Sequence, residues 1–164
     1  MKELIIGHNE GFKVQNAISA VVDLSFHFLN HNDREVVSEI LEVYSELWRM
    51  VKTEVDKNGS AQVNQTQILW LRLTFQGISR FFNFPQDFDN IDSGDDDEME
   101  LKFRTAIDDI FKLLLRVSPE QCLEMTANLF KELLSNFDNL PWNRVEGGLH
   151  MPYIIGENVN RIRQ

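Results

Sequence analysis

Apolar residues recur at three- and four-residue spacing along most of the chain, as they do in helices with one buried face. Residues 11–29, GFKVQNAISAVVDLSFHFL, carry Val14, Ala17, Ile18, Val21, Val22, Leu24, Phe26 and Leu29. The stretch is apolar nearly all round, which predicts a well-buried helix. The turn HND follows. Asn32 and Glu35 have the spacing of a capping box, and Asp33 is an alternative cap. Val36, Val37, Ile40, Leu41, Tyr44, Leu47, Trp48 and Val51 then predict a long amphipathic helix that ends before the turn signal DKNGS.

A third helix is expected over QTQILWLRLTFQGISRFF. The β-branched and aromatic residues of 68–75 suit a strand, but the length of the pattern favours a helix. Pro85 is the expected stop. The fourth helix follows over ELKFRTAIDDIFKLLLRV, with Phe103, Ala106, Ile107, Ile110, Phe111 and Leu114 on one face. The fifth has three start signals: Ser118 as cap, Pro119 at the first helical position and Gln121 at the third. The sixth, in NLPWNRVEGGLHMPYIIGEN, is opposed by its own composition. Gly147 and Gly148 each cost about 1 kcal/mol against alanine, and Pro152 removes a hydrogen bond and should kink the helix.

The first, third and fifth helices start near residues 11, 63 and 119. A helix pair thus recurs at roughly 50–56 residues, somewhat longer than the HEAT period of about 40–47. The surplus lies in DKNGSAQVNQ and in an acid run. The expected fold is all-α: a HEAT-type α-α superhelix, a right-handed solenoid of about three helix pairs. The pairs cover 11–54, 63–117 and 119–158, with an acidic insertion at 86–98.

Charge sharpens this picture. The chain has net charge −10, and eight of its acids fall between Asp87 and Glu100. Without them 18 acids face 16 bases, so the acidity is largely one local feature. A packed interior cannot hold so many unpaired carboxylates, so the insertion must be solvated or meet a cationic partner. The balance excludes an autonomous nucleic-acid binder with a basic face. Cys122, the one cysteine, excludes an internal disulfide, suits a reducing compartment and sits on an apolar helix pattern. No apolar run reaches the ~18–20 residues of a membrane span. MKELIIGHNEGF is too short in apolar residues for a secretory signal.

Three blocks in order carry a family resemblance. FLNHNDREVVSEILEVYSEL resembles the HEAT pairs of importin-β-type (karyopherin) transport receptors. DDDEMELKFRTAIDDIFKLLLRVSPEQCLEMTANLF has an acidic stretch leading to a Phe-Arg step and then a Ser-Pro-Glu start. WNRVEGGLHMPYIIGEN has a Trp, a Val-Glu step and a Gly-Glu end. Together, over residues 11–158, they are similar to the middle of the exportin-T family of nuclear export receptors. The resemblance implies an internal fragment of a superhelical clamp that binds tRNA with the GTPase Ran in its GTP form. It implies shuttling between nucleus and cytoplasm, and release of cargo on GTP hydrolysis. Gly147, Gly148 and Pro152 depart from the family's ordinary helix formers. Alternatives are an importin-β-type import receptor segment, or a HEAT scaffold subunit of a multiprotein complex.

No family contact residue transfers position by position. Candidate partner contacts are therefore chosen by charge and helix face. Arg49 and Lys52 on the second helix, with Lys112 and Arg116 on the fourth, lie off the apolar faces and can meet phosphate or an acidic protein surface. The rival reading is solvated cations placed where helix C-termini favour them. Asp95, Asp96, Asp97 and Glu98 are candidates for a basic surface, within an exposed loop expected over Asp87–Glu98. The solenoid ends, Ile5, Ile6 and Phe12 with Tyr153, Ile154 and Ile155, are expected to self-associate or meet another chain.

Enzyme chemistry finds little support. His27 and His31 are four apart, as zinc ligands can be, but no further ligand set has metal spacing. His150 stands alone. Asp108 and Asp109 point about 100° apart on a helix, which makes them a solvated face. No phosphate-binding glycine loop or nucleophile elbow is present. No catalytic residue, metal or cofactor is expected. Trp48, Trp70 and Trp142 can stack on bases, but packing between helices is the expected role.

Overall fold

The structure is a computed structural model that describes residues 20–57, 63–83 and 95–162. Among them the fold is all-α and HEAT-like. Helix α1 is described over 20–29. There follow α2 (Arg34–Lys57), α3 (Gln65–Ser79), α4 (Asp95–Val117), α5 (Pro119–Ser135), a 3-10 turn (Phe137–Asn139) and α6 (Trp142–Ile162). The first part of the expected helix at 11–19, the apolar residues Ile5, Ile6 and Phe12, and the acid-run residues 87–94 lie outside the described residues.

The apolar repeats decide which faces are covered. On α2, Val37, Leu41, Tyr44, Trp48 and Val51 are buried, at spacings of three and four. On α4, Phe103, Ile107, Ile110, Phe111, Leu114 and Leu115 are buried. Aromatic rings tie the layers together. Phe26 meets Tyr44 at 5.6 Å between ring centroids, and Phe111 meets Phe75 at 5.9 Å and Phe82 at 5.5 Å. Each such side chain contributes about 1.5–3 kcal/mol by leaving water. Helix α1 departs from the all-round burial expected of it. Val22, Phe26 and Leu29 are buried, while Val21, Leu24 and Phe28 are exposed.

Charged side chains define the alignment of α2, α4 and α6. Arg34 opens α2 and pairs with Glu100 near the start of α4. Between α4 and α6, Arg104 pairs with Glu146 at 2.9 Å and Asp108 with His150 at 3.0 Å. Both of those pairs span the same separation of 42 residues. An equal offset one turn further along means the two helices run parallel. Parallel second helices are what a stack of helix pairs requires.

The two turns within pairs are stitched to each other. The Arg80 guanidinium donates to the Asn30 and His31 carbonyls, at 3.0 and 3.2 Å, and to Asn32 Oδ1 at 3.1 Å. It thereby serves carbonyls that the end of α1 leaves without a helical partner. In return, Arg34 donates to the Asn83 carbonyl at 2.6 Å and lies over the Phe81 and Phe103 rings.

Several local expectations change. The α2 cap is Asp33, whose Oδ1 accepts from the Glu35 N–H at 2.9 Å, because Asn32 is engaged by Arg80. Helix α3 starts with a capping box formed by Asn64 and Gln67. It ends at Ser79, well before Pro85, so that Phe81 and Phe82 can turn into the core. Ser118 caps α5 through its backbone alone; Gln121 accepts from Arg72 at 3.2 Å instead.

One correction and the course of α6 bear on function. Helix α4 begins at Asp95, so Asp95, Asp96, Asp97 and Glu98 are helical and not loop. Carboxylates in a first turn are favoured by the helix dipole, which lets the run end as the start of a helix. Helix α6 continues through Pro152, held on either side by the buried Met151 and Ile154. Packing requires Gly147 and brings Gly148 close to a neighbour. A Cβ on Gly147 would lie 2.9 Å from backbone atoms of Phe82 and Asn83, and one on Gly148 would strike Leu133 of α5.

Candidate partner interface

The seam between α2 and α4 opens into a surface groove of about 570 Å³. Three of the four proposed cations, Arg49, Lys112 and Arg116, line it. Ser38, Glu42, Ser45 and Asp109 line it too, so the groove is mixed in charge with a small positive excess. Positions 42, 45 and 49 of α2, and 109, 112 and 116 of α4, recur at the helical spacing that puts them on one face of each helix. This is why residues far apart in sequence converge here.

Two of these cations already hold a carboxylate on their own helix. Arg49 pairs with Glu46, and Lys112 pairs with Asp109 at 3.1 Å. Arg116 is exposed in the last turn of α4. Lys52 is not part of the groove lining; it pairs with Asp56 one turn on. Such exposed pairs are worth roughly 0–1 kcal/mol and open readily for a better partner.

The acidic candidates lie elsewhere. Asp95, Asp96 and Asp97 start α4, and Arg116 ends it, about 30 Å away at 1.5 Å per residue. They cannot share one binding contact with the groove cations. Glu98 is exposed and pairs with Lys102 at 2.7 Å. The hydrogen bond from Lys102, and then its charge, hold the Glu98 carboxyl below the usual carboxylate range.

Other candidates move. His150 does not stand alone: its Nε2 sits 3.0 and 3.1 Å from the Asp108 oxygens, between the rings of Phe82 and Tyr153. Asp108 is therefore part of the α4–α6 seam, while Asp109 belongs to the groove. His31 Nδ1 accepts from the Asp33 N–H at 3.1 Å, within the turn. Among the described residues no group of three His, Cys, Asp or Glu can hold a metal ion. Cys122 is fully buried, and burial pushes its thiol up to about 12. Trp48 is in the core, where its N–H donates to Thr74 Oγ1 at 3.2 Å, and Trp70 is half-buried. Trp142 is exposed, against the expectation of core packing. Of the residues expected at the second solenoid end, Tyr153 is exposed, Ile154 is buried and Ile155 is half-buried.

No protein-family model matches the chain. The chain is similar to exportin-T of Danio rerio, 22% identical over 141 residues. That match spans 86% of this chain but only 14% of the relative, so the chain covers about one seventh of its length. The likeness suggests a distant relation to the exportins. It agrees with the HEAT-like helix pairs and with a transport receptor kind of function. Among the described residues, no helix is long and apolar enough to cross a membrane.

Proposed function

We propose that this chain is a section of a nuclear transport receptor of the exportin-T kind, whose whole length takes up tRNA together with Ran-GTP and shuttles between nucleus and cytoplasm. The observation that carries the reading is the similarity to exportin-T across 86% of the chain, with HEAT-like helix pairs beneath it. The role of this section is to keep three parallel second helices in register and to offer the α2–α4 groove. Arg49, Lys112 and Arg116 are the contacts proposed there. Lys52 contributes only to the surrounding charge.

This section by itself binds tRNA weakly. Phosphate binding draws on counterions released by Lys and Arg contacts, and here the net charge is −10. Avidity from distant repeats is also missing. The acids that begin α4 repel nucleic acid locally, and either steer the cargo to basic repeats elsewhere or meet a basic protein surface. The test is capture of the protein containing this chain on immobilised tRNA, with Ran-GTP or Ran-GDP added. Retention that requires Ran-GTP is expected. Equal retention with either nucleotide overturns the reading in favour of a HEAT scaffold. Tight tRNA binding by the 164-residue chain alone overturns the assignment of a weak role to this section.

A further inference from the structure

The charges of the α2–α4 groove are sorted by end. Glu42 of α2 and Asp109 of α4 line one end, and Arg49 of α2 and Arg116 of α4 line the other. On each helix the acid and the base are seven residues apart, two turns along one face. The same separation of 67 residues joins position 42 to 109 and 49 to 116. It is one residue from the 66 at which Arg34 meets Glu100. In that alignment of parallel helices, the two acids stand at one level and the two bases at another.

Nothing within the groove neutralises this arrangement. Seven residues of helix span about 10 Å, well beyond the ~4 Å of an ion pair, so the two ends cannot pair with each other. Lys112 reaches Asp109 at 3.1 Å, and Arg49 holds Glu46. Glu42 and Arg116, on the diagonal, are exposed and have no ion-pair partner among the described residues. Like charges at one level across a seam repel, and an occupant of opposite sign at each end relieves both repulsions. We propose that this groove takes a segment of a protein partner that carries a basic and an acidic side chain about 10 Å apart. The base lies against Glu42 and Asp109, and the acid against Arg49 and Arg116. The inference rests on the contact role proposed for the groove and names the class of partner that fills it.

Charge order separates this occupant from its rivals. A nucleic acid carries the same sign at every step of its backbone. What it gains at the basic end it loses against Glu42 and Asp109. An acidic tail meets the same penalty, and a basic tail meets its mirror image at Arg49 and Arg116. Only a segment of mixed sign is favoured at both ends. The guanidinium groups suit a carboxylate, because each donates two parallel N–H bonds. Between the ends the groove has an apolar floor, with Leu41 buried and Leu113 half-buried. Its volume of about 570 Å³ is many times the ~30 Å³ share of one water molecule, which is room for several side chains rather than a lone ion.

The probe is a fluorescein-labelled Ala/Gln-based helix of about 18 residues with one Lys and one Glu about two turns apart. Two companion peptides carry Lys at both positions, or Glu at both. Each is titrated into the 164-residue chain at physiological salt, with tRNA in parallel. Saturable binding of the mixed peptide is expected, about tenfold tighter than that of either companion. The decisive readout is a switch of preference. Arg49→Glu with Arg116→Glu makes both ends acidic and should hand the preference to the double-Lys peptide. Glu42→Lys with Asp109→Lys makes both ends basic and should hand it to the double-Glu peptide. Equal circular dichroism melting curves show that the variants are folded. Ran-GTP dependence of tRNA capture is measured separately, so the transport reading stands whichever peptide binds.

Absence of saturable binding by the mixed peptide overturns the proposal. An unmodified chain that prefers the double-Glu peptide overturns it in favour of a plain anion site. Preferences that neither double substitution moves overturn it by placing the peptide elsewhere. tRNA binding abolished by Arg49→Glu with Arg116→Glu overturns it in favour of phosphate contact.

Discussion

Helices α4 and α6 are both second helices of a pair, and both carry an apolar stripe, yet their stripes meet different fates. On α4, Ile107, Phe111 and Leu114 are completely buried, because α2, α3 and the α3–α4 turn close over them. On α6, Leu149 and Tyr153 remain more than half exposed. The same contrast holds for glycine: Gly147 is pressed against the Phe82–Asn83 backbone, and Gly156 stands open. It holds for charge as well. Arg104 is nearly buried where it meets Glu146, while Glu98 and Lys102 pair in full contact with solvent. Residue type alone does not set the energetic weight of a position; what covers it does.

The contrast is broken most sharply at the aromatic rings. Phe111→Ala should cost about 4 kcal/mol, the transfer loss plus the cavity, whereas Tyr153→Ala should stay within about 0.5 kcal/mol. Urea unfolding of the two variants checks this, and equal losses would mean that the α6 stripe is covered in solution. Next come the glycines. Gly147→Ala should destabilise by about 2–3 kcal/mol, because backbone cannot yield to the new methyl group. Gly156→Ala should stabilise by about 0.5–1 kcal/mol by removing glycine's entropy cost. Opposite signs in thermal melts are the expected result.

The ion pairs give a smaller effect. Arg104→Met should lose about 2 kcal/mol, less than a fully buried pair would, since Glu146 keeps partial access to water. Lys102→Met should leave the melting temperature unchanged, although it should return the Glu98 carboxyl toward its ordinary range, which NMR titration reads. For Glu98 the sign is that of a depressed carboxylate: any stability is present above the unfolded pKa and fades as pH falls through the folded one. Cys122 gives the smallest effect near neutrality. Its folded pKa is raised to about 12 by burial, so stability is fully present below the unfolded value and declines as pH rises toward 12. At pH 8 a thiol reagent should leave the native chain unmodified and react fully in guanidinium.

Periodicity alone made much of the fold legible. The apolar positions of α2 and α4 stand in the sequence at helical spacing, and burial follows that spacing closely. The candidate cations were legible as charges off the apolar faces, and Arg49, Lys112 and Arg116 do line one groove. Their convergence was not legible, because it depends on the alignment of α2 against α4, and Lys52 shows how one turn more removes a residue from it. The Asp108–His150 pair was missed since its partners lie on different helices; the equal spacing of Arg104–Glu146 and Asp108–His150 was the signal available.

Hydrophobic spacing, a property of consecutive residues, determined the helical class, the pairing of helices and the buried thiol. Tertiary structure decided the rest. The glycines of α6 read as defects until Phe82, Asn83 and Leu133 are seen against them. Pro152 reads as an interruption, yet the helix runs through it between the buried Met151 and Ile154. Trp142 reads as core until the groove opens beside it. In each case the local cost belongs to one residue, and the compensating contact comes from a segment that sequence spacing does not locate.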